Sequence, residues 1–170
     1  MPIVTERGFG PDGWATVADE TAVADGGDVI VSWKRFVAEA ATLTGRAGRI
    51  GVAVGPDFDV DLHVAGLDGV ALVAIAFAKF ADGRGFSIAR RLRDRGFAGT
   101  IRAVGPLIAE QAPMAFACGI DEIAIPDDLA ARQPESRWLR AVELRAAVSY
   151  QRGYRTGASV FDQRSTGGAA

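Results

Sequence analysis

The chain reads as a single α/β domain, a mostly parallel sheet of about five strands built from βα units, arranged as an open sandwich or a barrel-like arc. Two observations predict this. Short apolar segments alternate with helical patterns about five times, and short connections between such units force parallel strands with right-handed crossovers. The run Val70–Phe77 is continuously apolar and bounded by Gly69 and a polar loop, as a parallel strand covered on both faces should be. A length of 170 residues suits one such domain.

Residues 1–28 carry Glu6, Asp12, Asp19, Glu20, Asp25 and Asp28 against Arg7 alone, with many Gly and Ala. They read as an irregular acidic N-terminal arm with a short hairpin around Trp14–Val17. The α/β domain is placed at 29–151. Val29–Val31 is its first strand and Ser32 an N-cap. Trp33, Phe36, Val37, Ala40, Ala41 and Leu43 recur at helical spacing, and Gly45 and Gly48 end that helix. Arg49–Val54 is a buried strand, closed by the turn Gly55-Pro56. Asp57–Leu67 is a short acidic helix with Val60, Val64 and Leu67 on one face. After Val70–Phe77, Ser87 is expected to cap a helix over Ile88–Arg95, with Arg93 and Arg95 favouring its C-terminal dipole and Gly96 at C′. Thr100–Val104 is a strand, Leu107–Cys118 a helix, Glu122–Ile125 a strand, and Glu135 to Tyr150 the last helix. Residues 152–170, rich in Gly, Ser, Thr and Ala, read as a flexible tail.

Composition narrows the function classes. Nineteen basic residues against 21 acidic ones argue against nucleic acid as a partner. One cysteine, Cys118, excludes a disulfide, a CxxC pair or a cluster held by this chain alone. One histidine, His63, leaves no zinc constellation, so no metal and no cofactor are expected. The first residues lack the apolar core of a signal peptide, and the longest apolar run is too short for a bilayer. A cytoplasmic protein without a membrane partner is expected.

In parallel α/β folds ligands meet the C-terminal ends of strands. That rule selects three loops: Gly55–Asp61, Lys79–Ser87 and Gly105–Ile108. The second carries the most chemistry. Gly83 and Gly85 let the backbone turn sharply and let a ligand approach, and a helix start offers unpaired N–H groups. Arg84 is positioned to grip an oxyanion, and Asp82 to orient Arg84 or to serve as acid or base. Lys79 to Arg102 holds seven basic residues and two acidic ones, a local positive field in an acidic chain. The bland alternative is a glycine turn followed by a solvated helix face.

Other signals are discounted. Gly8-Phe-Gly-Pro-Asp-Gly13 matches a dinucleotide fingerprint but lacks its strand–helix setting. Asp57, Asp59 and Asp61 resemble the start of a calcium loop, but Leu62 stands where that loop needs Gly. Leu107, Gln111, Met114 and Cys118 share one helix face, which reads as a packed face with an inert thiol. An Ala-rich last helix leaves room for a homodimer face.

The block Phe77-Ala-Lys-Phe-Ala-Asp-Gly-Arg-Gly-Phe-Ser-Ile-Ala-Arg-Arg-Leu-Arg93 resembles the core of a bacterial domain of unknown function. Members of that family often carry the label of an oxidoreductase involved in sulfite reduction. Gly48-Arg-Ile-Gly-Val52, Arg102-Ala-Val-Gly105, Gln111, Cys118-Gly119 and Tyr150-Gln151 extend the resemblance in order. This chain departs from the family pattern at Pro106 and Glu110, where an acid and an Asp are usual, and at Phe116-Ala117, where a base is common. The resemblance implies an accessory protein of assimilatory sulfite reduction and cysteine synthesis. It would bind sulfite reductase, another sulfur-assimilation enzyme or a small oxyanion. The residues expected to carry this are Lys79, Asp82, Gly83, Arg84, Gly85, Ser87, Arg102, Gly105 and Gln111. The chain shows no motif for a redox cofactor. The alternative is a small enzyme on a phosphorylated or carboxylated metabolite, with Asp82 as acid or base and Arg84 as anion clamp. A third possibility is that Asp82, Arg84 and Arg102 form an ion network that ties the loops together.

Overall fold

A computed structural model describes residues 1–148. The expected tail, 152–170, and Tyr150-Gln151 lie outside the described residues. The strands are β1 (Ile3–Thr5), β2 (Gly8–Gly10), β3 (Trp14–Thr16), β4 (Asp28–Ser32), β5 (Ile50–Val54), β6 (Val70–Ala76), β7 (Thr100–Val104) and β8 (Glu122–Ala124). The helices are α1 (Trp33–Thr44), α2 (Val60–His63), α3 (Arg84–Asp94), α4 (Ala112–Ala117), α5 (Asp127–Arg132) and α6 (Glu135–Val148), with 3-10 turns at Val64–Leu67 and Ala109–Gln111.

All eight strands form one sheet in the order β2-β1-β8-β7-β6-β5-β4-β3. The parallel arc β4 to β8 matches the expected five βα strands, and each strand lies beside its predecessor. Right-handed crossovers between successive neighbours place the helices on one face. The period-2 alternation of the strands shows it. Val31, Val52, Val73, Ile75, Ile101 and Ile123 share one buried core with Phe36, Phe86, Ala89 and Leu92 of the helices. The other face packs Ile30, Leu72 and Ala74 with Trp14, Ala53 and Val104.

The N-terminal segment differs from expectation. Rather than an irregular arm, residues 1–28 supply three strands. The hairpin is β1–β2, antiparallel with Val4 opposite Phe9, and β1 pairs antiparallel with β8. Trp14–Thr16 forms no hairpin but runs parallel to β4. Strands of three residues carry too little periodicity to announce themselves, and here their pairing is fixed by partners far away in the chain.

The same segment fixes the curvature. Laid flat, eight strands would hold the outer two ~34 Å apart. β2 and β3 are those outer strands, yet only Pro11-Asp12-Gly13 joins them, a link that spans at most ~14 Å. The sheet must therefore curl into a barrel-like arc, with this strap across its open side. Asp12 in the strap fork-binds Arg102 of β7 at 2.9 and 3.1 Å, and Glu122 of β8 accepts from Arg102 Nε at 2.7 Å. The motif resembling a dinucleotide fingerprint is thus β2 plus the strap.

Helix starts follow local chemistry. Ser32 caps α1 by accepting from Arg35 N, as expected. Asp59 caps α2 through Asp61 N and Leu62 N. Ser87 does not cap α3: the helix begins at Arg84, four residues before the expected Ile88, with Gly83 at the N-cap, and Asp82 Oδ1 accepts from Arg84 N. An aspartate two residues ahead of the first free N–H competes successfully for it. No described helix is long and apolar enough to cross a membrane.

Candidate functional site

The three loops selected by topology converge. Arg84 donates from Nε and Nη2 to the two Asp82 oxygens at 3.1 and 2.9 Å, and from Nη1 to Asp57 of the β5–α2 loop at 2.6 Å. Gln111 donates from Nε2 to Phe80 O at 2.7 Å and accepts from Ile108 N, fastening the β6–α3 loop to the segment after β7. Gly105, at φ +144°, lies against Phe77: a Cβ there would stand 2.2 Å from the Phe77 carbonyl oxygen. Its glycine serves backbone packing.

The predicted residues divide into groups. Asp82 and Arg84 are partners. The hydrogen bond from Arg84 is the main cause that holds the Asp82 carboxyl below the usual carboxylate range. Asp82 therefore stays ionised and is a weak base, which is poor equipment for proton transfer near neutral pH. Three of the five Arg84 N–H groups already face carboxylates, so gripping an anion requires exchanging partners. Lys79 is exposed and makes no ion pair among the described residues. Gly83 is open, with nothing within 4 Å of a Cβ, whereas Gly85 is buried under the Phe77 ring. Ser87 is exposed on the first turns of α3.

Arg102 does not belong with them. It is 3% exposed, on the sheet face opposite the helices, and is held by Asp12 and Glu122. The alternation of β7 decides this: Ile101 and Ala103 face the helices, so Arg102 faces away. The ion network joining it to Asp82 and Arg84 is replaced by two separate ones.

Beside the loop lies a groove of about 970 Å³ lined by side chains from four elements. Phe58 and Val60 form one wall, and Gln111, Met114 and Cys118 the other. Phe80, Ala81 and Gly83 close one end, and Phe86, Ser87, Ile88, Arg90 and Arg91 of α3 form the floor. Phe80 is 61% and Met114 59% exposed. The face Gln111–Met114–Cys118 looks into this groove rather than into the core. Leu107, expected on the same face, is fully buried ahead of the helix. Cys118 is a half-buried free thiol at the end of α4.

The sequence reading missed Asp57 as the second carboxylate of Arg84, and Phe80 and Met114 as exposed apolar residues. Phe80 carried a signal: a large aromatic in a loop of small and charged residues has no core to enter. His63, the only histidine, packs in an aromatic cluster 5.2 Å from the Trp33 ring and 5.3 Å from Phe58.

These features define a single α/β domain with a curled, mostly parallel sheet, its candidate site on the loops at the C-terminal ends of the parallel strands and on the adjoining helix surface. The chain belongs to the family described as bacterial protein of unknown function (DUF934), whose model matches residues 51–163. No curated protein and no solved structure matches the chain. The match takes in the whole candidate site and begins within β5, leaving β1 to β4 and α1 outside it. Glu110 pairs with Arg137 of α6, and the hydrogen bond from Arg137 is the main cause that lowers its carboxyl.

Proposed function

We propose that this protein is a non-catalytic accessory protein of assimilatory sulfite reduction, docking sulfite reductase or another sulfur-assimilation enzyme on the groove beside the Asp82–Ser87 loop. The cellular setting rests on the family resemblance; the mode rests on geometry. One observation carries the mode: the charges of the loop neutralise one another while Phe80 and Met114 stand exposed beside them. Exposed apolar clusters rimmed by polar residues mark interaction sites. An oxyanion held by Arg84 is the weaker form of the same reading, because it must displace Asp82 or Asp57.

The enzyme reading keeps one supporting observation. The groove's volume lies within the ~300–1,000 Å³ range of small-molecule sites. Asp82 and Arg84 would then have to part before either acts.

The test is growth of a deletion strain on sulfate, sulfite or cysteine. The expected result is growth on cysteine only, rescued by the wild-type gene and by Asp82→Asn, but not by Phe80→Asp, which should fold normally because Phe80 is exposed. Normal growth of the deletion strain on all three sources refutes the pathway. Failure of Asp82→Asn with rescue by Phe80→Asp selects the enzyme reading.

A further inference from the structure

We infer that the groove takes an acidic amphipathic helix of another protein, engaged over about two turns, its apolar side chains at i, i+4 and i+7 and its carboxylates on the flank facing Arg90 and Arg91. This rests on the docking reading above and names the chemistry of the occupant.

The shape argues for a helix. The floor is α3 and one wall is α4, whose backbone groups are engaged in their own helices. Strand addition needs an open sheet edge, so this surface recognises side chains only, as helix-binding grooves do. Ser87, Arg90 and Arg91 recur at i, i+3 and i+4 on α3, while Gln111, Met114 and Cys118 recur at i, i+3 and i+7 on the wall. Two such stripes form the ridges between which a third helix packs. The α3 residues that line the groove run from Phe86 to Arg91, a floor ~9 Å long that matches about two turns.

The charge argues for acid. Among the described residues, Arg90 and Arg91 are the only charged ones lining the groove, and no carboxylate lines it. Their present partners are Asp94 at 3.0 Å and Asp61 at 3.6 Å. Each arginine commits one nitrogen to its exposed partner, against three for Arg84, and exposed pairs held so loosely contribute little and exchange for other carboxylates. The same sign excludes two occupants from this chain. Residues 149–170 carry Arg152, Arg155 and Arg164 against Asp162. The acidic stretch near the N-terminus is held on its own domain, since Arg35 donates to the carbonyls of Ala18 and Thr21, and Arg46 to those of Gly26 and Gly27.

The probes are fluorescein-labelled synthetic helical peptides titrated against the full chain by fluorescence anisotropy. One has leucines at i, i+4 and i+7 with flanking glutamates; its twin replaces each glutamate with lysine; a third scrambles the leucines. The expected result is binding of the acidic peptide at least about tenfold tighter than its twin, with the advantage shrinking as salt rises. Arg90→Glu with Arg91→Glu should reverse the preference, and Met114→Asp should abolish binding of both. Equal binding of the twins, equal binding of the scrambled peptide, or no binding overturns the inference. A dimer that Met114→Asp dissociates also overturns it, by making a second copy the occupant. The two proposals fail separately: peptides that do not bind, with Phe80→Asp still blocking rescue, remove the acidic helix and keep the docking site. Charge-selective binding with full rescue by Phe80→Asp keeps the helix site and removes its role in sulfite reduction.

Discussion

Gly83 and Gly85 stand two residues apart at the start of α3, and alanine at each should have opposite consequences. At Gly85 a Cβ would lie 2.3, 2.6 and 2.8 Å from three atoms of the Phe77 ring. Ordinary contact begins near 3.4 Å, so the ring must retreat by about 1 Å. It has little room, being 3% exposed, packed 5.0 Å from the Phe86 ring, and fixed where Phe77 N donates to Val104 O. Overpacking of this kind costs ~1–3 kcal/mol, and alanine returns up to ~1 kcal/mol in helix propensity. Gly85→Ala should therefore destabilise by ~1–2 kcal/mol, lowering the melting temperature by ~2–8 °C for a chain of this size. At Gly83 nothing lies within 4 Å and the backbone sits at φ −82°, ψ −4°, which alanine adopts freely. Gly83→Ala should stay within ~0.5 kcal/mol of wild type. Urea and thermal unfolding of both variants provide the assay. In a Phe77→Leu background the smaller side chain should absorb most of the Gly85→Ala penalty, giving a favourable coupling of ~1 kcal/mol. Wild-type stability of Gly85→Ala, or greater damage from Gly83→Ala, would refute the packing argument.

The remaining expectations concern the two ion networks. Arg102→Ala removes the hydrogen-bond partner of Asp12 and Glu122, which stay partly solvated at 28% and 19% exposure, and should cost ~1–3 kcal/mol by chemical denaturation. A variant that melts like wild type yet fails to rescue growth would make Arg102 a ligand contact instead. Arg84, Arg49 and Arg137 hold the carboxyls of Asp82, Asp28 and Glu110 respectively below their ordinary range, in each case chiefly through a side-chain hydrogen bond. Because the folded values are the lower ones, this stabilisation is present above the unfolded value of ~4 and lost as pH falls through the folded values. Asp82→Asn should flatten the loss of stability as pH falls below about 4; an unchanged slope in urea unfolding would count against the Arg84 pairing.

The parallel arc was legible because its strands are runs of buried aliphatics separated by glycine turns. Thr100–Val104 is read from sequence with the observed bounds, and the start of the helix at Trp33 is marked by its Ser32 cap. Two kinds of feature were not legible. β1, β2 and β3 are held by pairing across the chain, and α5, six residues long, presents too few turns to show a period. The start of α3 was misread because Ser87 is a cap residue by type, whereas the N-cap is Gly83 and Asp82, one residue before it, accepts from Arg84 N. The loop sequence suggested that Asp82 orients Arg84, and the two side chains are paired. It could not reveal that Asp57 arrives from the preceding loop, or that Arg102 lies across the sheet. Those facts depend on sheet curvature and strand phase.

The pairing of β1 with β8 also sets an order of assembly. Strands β4 to β8 leave the ribosome in the order in which they stand in the sheet, so each emerges with its neighbour already made. Val4 must wait for Ile123, about 120 residues later, which at ~5–20 residues per second is ~6–24 s of synthesis. Through that interval the N-terminal hairpin has no β8 to dock on, and the growing arc presents an open edge at its newest strand. The hairpin strands are only three residues long and include Gly8 and Gly10, which makes them poor templates for wrong pairing. A nascent chain released before Ile123 would keep both edges of its arc exposed, and its demand for chaperones should fall sharply once β8 has emerged.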